Sequence, residues 1–245
     1  MIPWFLWNGR DSRQMGLVIS TPPRLIPAER VESITVPGRP GALLRTEGEG
    51  VYDPYVLTVR AGNRGDANLQ AILSWLRGSG ELVFSTEPNR VYQARIINAG
   101  QLDRLFDGVM QGDIQFLCQP LRGQYPPEAA VSVTPSSTVT SLTVYNPGDV
   151  PARAAYTATG IGDVIIALDA VNAFEIVFPD SPGGTVIVDS DAGQALLDGT
   201  PAENYANHVS GSYRALWIPT GSHTFSWSGT GTLSALSLQP GWRWV

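Results

Sequence analysis

Asp113-Ile-Gln-Phe-Leu-Cys-Gln-Pro-Leu-Arg-Gly-Gln-Tyr-Pro-Pro127 divides the reading of this chain. In its first half Ile114, Phe116 and Cys118 alternate with Gln115, Leu117 and Gln119, the period-two pattern of a strand with one face in a core. Three prolines and a glycine then fall within eight residues, Pro120 to Pro127. Proline lacks the ladder N–H and holds the residue before it extended, so neither strand nor helix is expected to continue. The stretch reads as a junction between residues 1–127 and residues 128–245. Its prolines make it a stiff spacer rather than a flexible one.

Working outward on the N-terminal side, Trp4 to Trp7 is a first strand or docking arm ending at Asn8-Gly9, a strong turn dipeptide. Gly16 to Ser20 and Arg30 to Val36 are short strands. The second stops at Pro37-Gly38-Arg39-Pro40-Gly41, a tightly specified turn from which Arg39 must stand out. Tyr55, Leu57 and Val59 alternate with Val56, Thr58 and Arg60. One helix is predicted, Asp66 to Arg77: Asp66 or Asn68 caps it, Leu69, Ile72, Leu73 and Leu76 share a face, and Gly78 stops it. Strands at Glu81–Ser85 and Val91–Asn98 follow. A single amphipathic helix needs a sheet to cover its stripe, so this half is expected to be a β-sandwich or split barrel plus helix.

After the junction, alternating strands recur at Leu142–Tyr145, Ala154–Thr159, Asp163–Leu168, Phe174–Phe178, Thr185–Val188, Tyr213–Ile218, Thr224–Trp227 and Leu233–Leu238. Only a turn near Gly193–Leu197 looks helical. About eight strands at this spacing predict an antiparallel sandwich. The fold class is therefore all-β with one helix. Trp217 and Trp227 are placed in the core. Trp242 and Trp244, at the chain end, are the candidates for stacking on a saccharide ring.

Charge divides at the same place. Residues 1–127 hold 13 arginines and 12 acids, whereas residues 128–245 hold 3 arginines and 10 acids, and the chain has no lysine. An acidic total without a basic cluster argues against sequence-specific binding of nucleic acid. Arginine in place of lysine suits planar, partly buried ion pairs and interfaces. The single cysteine, Cys118, excludes an internal disulfide. The apolar Met1 to Trp7 lacks the features of a signal peptide, and no run is long enough for a membrane helix.

Chemistry-bearing patterns are sparse. His208 and His223 have no zinc-ligand spacing, and Asp189-Ser-Asp191-Ala-Gly193 lacks the distal glutamate of a calcium loop, so it reads as a carboxylate-capped turn. Arg64-Gly65-Asp66 is explained by a turn before a helix cap. No nucleophile constellation appears, and a hydrolase would rest on the abundance of acids alone. No enzyme activity, cofactor or metal is expected.

Both halves together resemble the distal tail protein of long-tailed, non-contractile bacteriophages. The resemblance runs through Trp7-Asn-Gly9, Asp11-Ser12 and Gly16-Leu17, then Glu29-Arg-Val31 to Val36-Pro-Gly-Arg-Pro-Gly41, Tyr52 and Tyr55. It continues through Trp75-Leu76, Gly80-Glu-Leu82, Tyr92-Gln-Ala-Arg-Ile96 and Phe116 to Pro120. In the second half it takes in Asn146-Pro-Gly-Asp149, Pro151-Ala152, Val186-Ile-Val-Asp-Ser190 and Pro219 to Trp227. The resemblance implies a hexameric ring, a structural hub of the virion's tail tip assembled in the host cytoplasm. Its N-terminal domains would form a belt around the DNA channel and its C-terminal galectin-like sandwiches would project outward. The partners implied are the tail tube protein on one face and the tail-tip or tail-associated lysin protein on the other. DNA would pass through without specific binding, and no membrane is involved. Arg39, Trp4 and Trp7 are the interface candidates. The alternative is a carbohydrate-binding module that contacts the host wall through residues 128–245.

Overall fold

The computed structural model describes residues 2–46, 51–64, 69–98, 103–106, 109–198 and 205–245. The protein is all-β, with one α-helix among these residues. The chain divides into two compact units, residues 1–126 together with Val245, and residues 127–244.

In the first unit the strands are β1 (Phe5–Trp7), β2 (Arg10–Asp11), β3 (Leu17–Ile19), β4 (Val31–Thr35), β5 (Ala42–Thr46) and β6 (Tyr55–Arg64). Helix α1 (Leu69–Trp75) follows, then β7 (Ser79–Phe84), β8 (Arg90–Asn98), β9 (Asp103–Phe106) and β10 (Val109–Gln124). One sheet runs in the order β2-β1-β7-β8-β10-β6-β3, with β9 also on β10. Its core is aromatic: the Phe116 ring lies 5.6 Å from Phe5, 5.7 Å from Trp7 and 6.3 Å from Phe84. The helix buries Ile72, while Leu76 just beyond it is also buried. Trp75 fastens the helix to the sheet, stacking on Phe5 at 5.6 Å and donating its indole N–H to the Trp7 carbonyl at 3.3 Å. Gly78 takes the left-handed backbone (φ +77°) that stops the helix. The expected cap residues Asp66 and Asn68, and Gly65 of the Arg-Gly-Asp triplet, lie outside the described residues.

The strand across the opening stretch corrects the expectation. β10 does not stop at Pro120 but runs on to Gln124. Its ladder with β6 ends at Cys118↔Tyr55. On the other side, pairing with β8 jumps from Cys118↔Ala94 to Arg122↔Tyr92. Pro120 therefore sits in a bulge, where no ladder N–H is asked of it.

The second unit contains β11 (Val131–Val133), β12 (Ser141–Asn146), β13 (Ala155–Leu168), β14 (Asn172–Phe178), β15 (Gly184–Asp189), β16 (Gln194–Leu197), β17 (Val209–Ser210), β18 (Gly221–Gly229) and β19 (Thr232–Gln239). The two strands expected at 154–159 and 163–168 are one, β13. Its first half pairs with β15 and β19, its second with β14 and β18. Gly160 and Gly162 look like a turn in sequence, yet they serve as the bend that carries one strand between two sets of neighbours. A Cβ on Gly160 would lie 2.7 Å from the Thr232 carbonyl oxygen. Two further expectations are corrected. Tyr213–Leu216 is a 3₁₀ turn, begun by Ser212 Oγ accepting from the Arg214 N–H at 3.3 Å. The supposed helical turn near Gly193–Leu197 is β16, paired with β15. The core gathers Tyr156, Phe174, Ile176, Phe178 and Phe225, with Tyr156 and Phe225 edge to face at 5.6 Å.

Candidate assembly surface

One element stands apart in the first unit. β4 and β5 pair only with each other, and every residue of both is exposed. The register places Val31, Ser33 and Thr35 opposite Thr46, Leu44 and Ala42 on one face. On the other, Glu32 faces Arg45 and Ile34 faces Leu43. Both faces thus carry apolar side chains and neither is covered. An isolated two-stranded hairpin is marginal in water, because it exposes as much of its apolar surface as it pairs. It is also a template for pairing at its edges.

The sequence builds this hairpin for local reasons. Pro37-Gly38-Arg39-Pro40-Gly41 closes it, with Gly38 and Gly41 at φ +79° and +83° and the Arg39 N–H donating to the Val36 carbonyl at 3.2 Å. Arg39 stands exposed at this tip. At the other end the two legs of the hairpin are held to each other, as the Glu29–Tyr52 bridge continues the pairing. The Arg30 N–H donates to the Val51 carbonyl at 2.9 Å, the Asp53 N–H to the Ala28 carbonyl at 2.9 Å, and Arg30 Nε to Asp53 Oδ1 at 2.7 Å.

The lead-in from Ser20 to Glu29 extends the apolar surface. Leu25 is exposed and Ile26 is 86% exposed. Arg24 anchors this arm, donating to the Thr86 carbonyl at 3.4 Å and lying 3.9 Å from Glu87. Glu87 is the hub of that anchor: Arg122 pairs with it at 2.9 Å and the Tyr92 hydroxyl donates to it at 2.7 Å. Burial raises the Glu87 carboxyl, but the hydrogen bonds and charges of Tyr92, Arg122 and Arg24 outweigh it and hold the group below its ordinary value. The arm is therefore pinned through a carboxylate that stays ionised.

The other candidates fall elsewhere. Trp7 is 0% exposed, packed against Phe116, with its indole N–H buried and unpartnered. Trp4 is half-buried, its backbone N–H donating to Ser85 Oγ at 3.0 Å and the Arg13 guanidinium 5.1 Å from its ring. Neither reaches the hairpin's chemistry as Arg39 does. Trp242 and Trp244 are 5% and 7% exposed. Their indole N–H groups donate to the Glu128 carboxylate and, at 3.2 Å, to the Pro147 carbonyl, so neither ring offers a face to solvent. Trp227, expected in the core, is half-buried and packs against the core of the second unit. It lines a shallow trough of about 390 Å³ with Ser136, Thr140, Ser228 and Thr232. The second strand of the hairpin, residues 42–46, escaped the sequence reading. The signal for it was the two-glycine turn followed by Ala42-Leu43-Leu44, which requires a partner strand for Val31–Thr35.

Cys118 is buried, and burial pushes its thiol up to about 12. Among the described residues no three His, Cys, Asp or Glu side chains are placed to hold a metal, and no helix is long and apolar enough to cross a membrane. Asp189 Oδ1 accepts from the Asp191 and Ala192 N–H groups at 2.9 Å each, so the Asp-Ser-Asp stretch is a capped turn.

No known protein-family profile matches the chain, and no curated protein does. Among solved structures, the chain is similar to SPP1 Dit, described as a paradigm of the hub adsorption apparatus in phages that infect Gram-positive bacteria. The match covers 100% of both chains at a TM-score of 0.68, with 17% sequence identity. At that identity the likeness is one of fold.

Proposed function

We propose that this protein is a structural component of a long, non-contractile phage tail, a hub whose copies close into a ring between the tail tube and the tail-tip complex. The observation that carries the reading is the β4–β5 hairpin, exposed on both faces, closed at its base and bearing Arg39 at its tip. A second copy of the chain is the occupant that suits it. Contact between one patch and a different patch on the next copy is heterologous, and such contacts generate a ring when the rotation closes. Six copies, the DNA passage, the tube protein and the tip or lysin protein follow from the resemblance to distal tail proteins. The full-length likeness to SPP1 Dit supports the same assignment. A mildly acidic, lysine-free chain suits a channel through which DNA slides, since affinity for DNA rests largely on phosphate neutralisation. The role is one of assembly, with no chemical step.

The test is direct. Purified full-length protein is followed by light scattering after size exclusion and by negative-stain microscopy, over a range of concentration at physiological salt. Ring-shaped particles of one copy number are expected. A strictly monomeric chain at the highest concentration would overturn the reading.

A second reading, saccharide binding by the residue 128–245 unit, is favoured by the Trp227 trough rather than by Trp242 and Trp244. An indole beside neutral hydroxyl groups suits the mixed apolar and hydroxyl faces of a sugar ring. Pull-down on purified cell wall with and without Trp227→Ala tests it, and equal retention of both removes it.

A further inference from the structure

Residues 128–245 contain ten carboxylates and three arginines. All three arginines meet in one place. Asp191 holds two of them: its Oδ1 accepts from Arg153 Nη1 at 2.6 Å and its Oδ2 from Arg243 Nη2 at 2.6 Å. Trp217 gathers the third. The guanidinium carbon of Arg153 lies 4.4 Å from the indole centroid and that of Arg214 lies 5.3 Å from it. The indole is itself fixed, its N–H donating to the Ser190 carbonyl at 3.1 Å.

A purely internal clamp would match cations with carboxylates, and this cluster does not. Asp191 is the one carboxylate that pairs with it among the described residues, and Arg214, which is exposed, makes no ion pair there. Asp189, two residues away, spends its Oδ1 on the turn N–H groups of Asp191 and Ala192. Burial raises the Asp191 carboxyl, but the two arginine hydrogen bonds prevail and keep it ionised. The cluster retains an excess of positive charge on a unit that is otherwise strongly acidic. Stacking on an indole occupies the face of a guanidinium and leaves its in-plane N–H groups for a carboxylate fork. Trp and Arg are also the side chains that dominate binding energy where proteins meet.

We propose that Arg153, Arg214 and Arg243, arranged about Trp217, form a docking site for an acidic segment of a partner protein. Arg214 takes a carboxylate in bidentate fashion, and the remaining N–H groups of Arg153 and Arg243 take the next. Asp191 sets the spacing of those two arginines. The site is independent of ring closure through the hairpin, so either can fail without the other.

The experiment uses the full-length protein and a fluorescein-labelled hexaglutamate peptide, with hexaglutamine as the neutral control, read by fluorescence anisotropy at low salt and at about 0.15 M salt. Hexaglutamate is expected to bind and hexaglutamine not, with affinity falling as salt rises. Arg214→Gln, at an exposed position in no ion pair, is expected to weaken binding about tenfold. Arg214→Lys should recover only part of the loss, because an ammonium cannot form the planar fork. Arg39→Gln, in the other unit, should leave binding unchanged. The proposal would be overturned by hexaglutamate binding unaltered by Arg214→Gln, by equal loss with Arg39→Gln, or by displacement of the peptide by inorganic phosphate at low millimolar concentration. A change in oligomeric size with Arg214→Gln while peptide binding persists would assign the patch to another copy of the chain, and would overturn it too.

Discussion

If the hairpin forms the subunit contact of the proposed ring, replacing Leu44 by aspartate separates assembly from folding. Leu44 is 74% exposed in the single chain and lies on the hairpin face that also carries Val31 and Ala42. Complete burial of a leucine contributes about 1.5–3 kcal/mol, so the surface Leu44 still has to hide is worth roughly 1–2 kcal/mol. Aspartate forfeits that and brings an unpaired carboxylate into the contact. Partial escape to water limits the added penalty to about 2 kcal/mol. Together the loss is about 3 kcal/mol per subunit contact, or roughly a hundredfold in each association constant. Every subunit of a ring makes two such contacts, so assembly should collapse over a narrow concentration range. Sedimentation velocity at a concentration where the unmodified chain is expected to form rings should show mainly monomer for Leu44→Asp. Its melting temperature as a monomer should stay within about 2 °C of the parent, because little of the chain covers this side chain. A variant that sediments as the unmodified protein does would refute the assignment of the hairpin to the subunit contact. A large drop in melting temperature would show instead that Leu44 supports the fold.

Arg39→Ala, at the exposed tip of the Pro37–Gly41 turn, should weaken assembly about five- to tenfold without moving the melting transition, as read by light scattering and circular dichroism. Gly231→Ala should destabilise the second unit by about 2–4 kcal/mol, because the new Cβ would meet backbone atoms, 2.3 Å from the Ile161 carbonyl oxygen and 2.7 Å from the Asp163 nitrogen. Calorimetry should show that loss in the transition of residues 127–244. The His223–Asp169 pair predicts a dependence on pH. His223 Nδ1 lies 2.6 Å from Asp169 Oδ2 and Nε2 lies 3.2 Å from the Thr220 carbonyl, so both ring nitrogens face acceptors. The hydrogen bond to Asp169 raises the imidazole above 6.5, and the same bond lowers Asp169 below 3.8. The histidine contribution is therefore complete below pH 6.5 and lost as pH rises through the raised value. That of Asp169 is present above pH 3.8 and lost as pH falls through the lowered one. Asp169 is 45% exposed, so solvent screens the pair and its worth is at most about 1 kcal/mol. Urea midpoints of the unmodified chain and His223→Gln should converge as the solution becomes alkaline; a constant gap from acid to alkaline pH would refute the assignment.

Local pattern alone placed the buried faces of this protein. Ile114, Phe116 and Cys118 turn inward together on β10, Phe174, Ile176 and Phe178 on β14, and Ile72 with Leu76 beneath the helix. Side chains two apart on a strand, or three to four apart on a helix, share a face whatever the rest of the chain does. The closing turn of the hairpin was legible for the same reason, since two glycines and two prolines restrict the backbone from within. Long-range pairing settled what these short periods could not. Pro120 lies inside a strand because β8 offers a bulge there, and Gly160 and Gly162 bend β13 because its neighbours change along its length. Tyr213–Leu216 alternates like a strand but finds no ladder. Tryptophan has no preferred depth of its own, so only packing could bury Trp7, Trp242 and Trp244 while leaving Trp217 and Trp227 half-buried. Arg153, Arg214 and Arg243 show the limit most clearly. They are far apart along the chain, and no local pattern joins them. Their meeting at Trp217 and Asp191 comes from the folding of the second unit, because charge and stacking act through space and not along sequence.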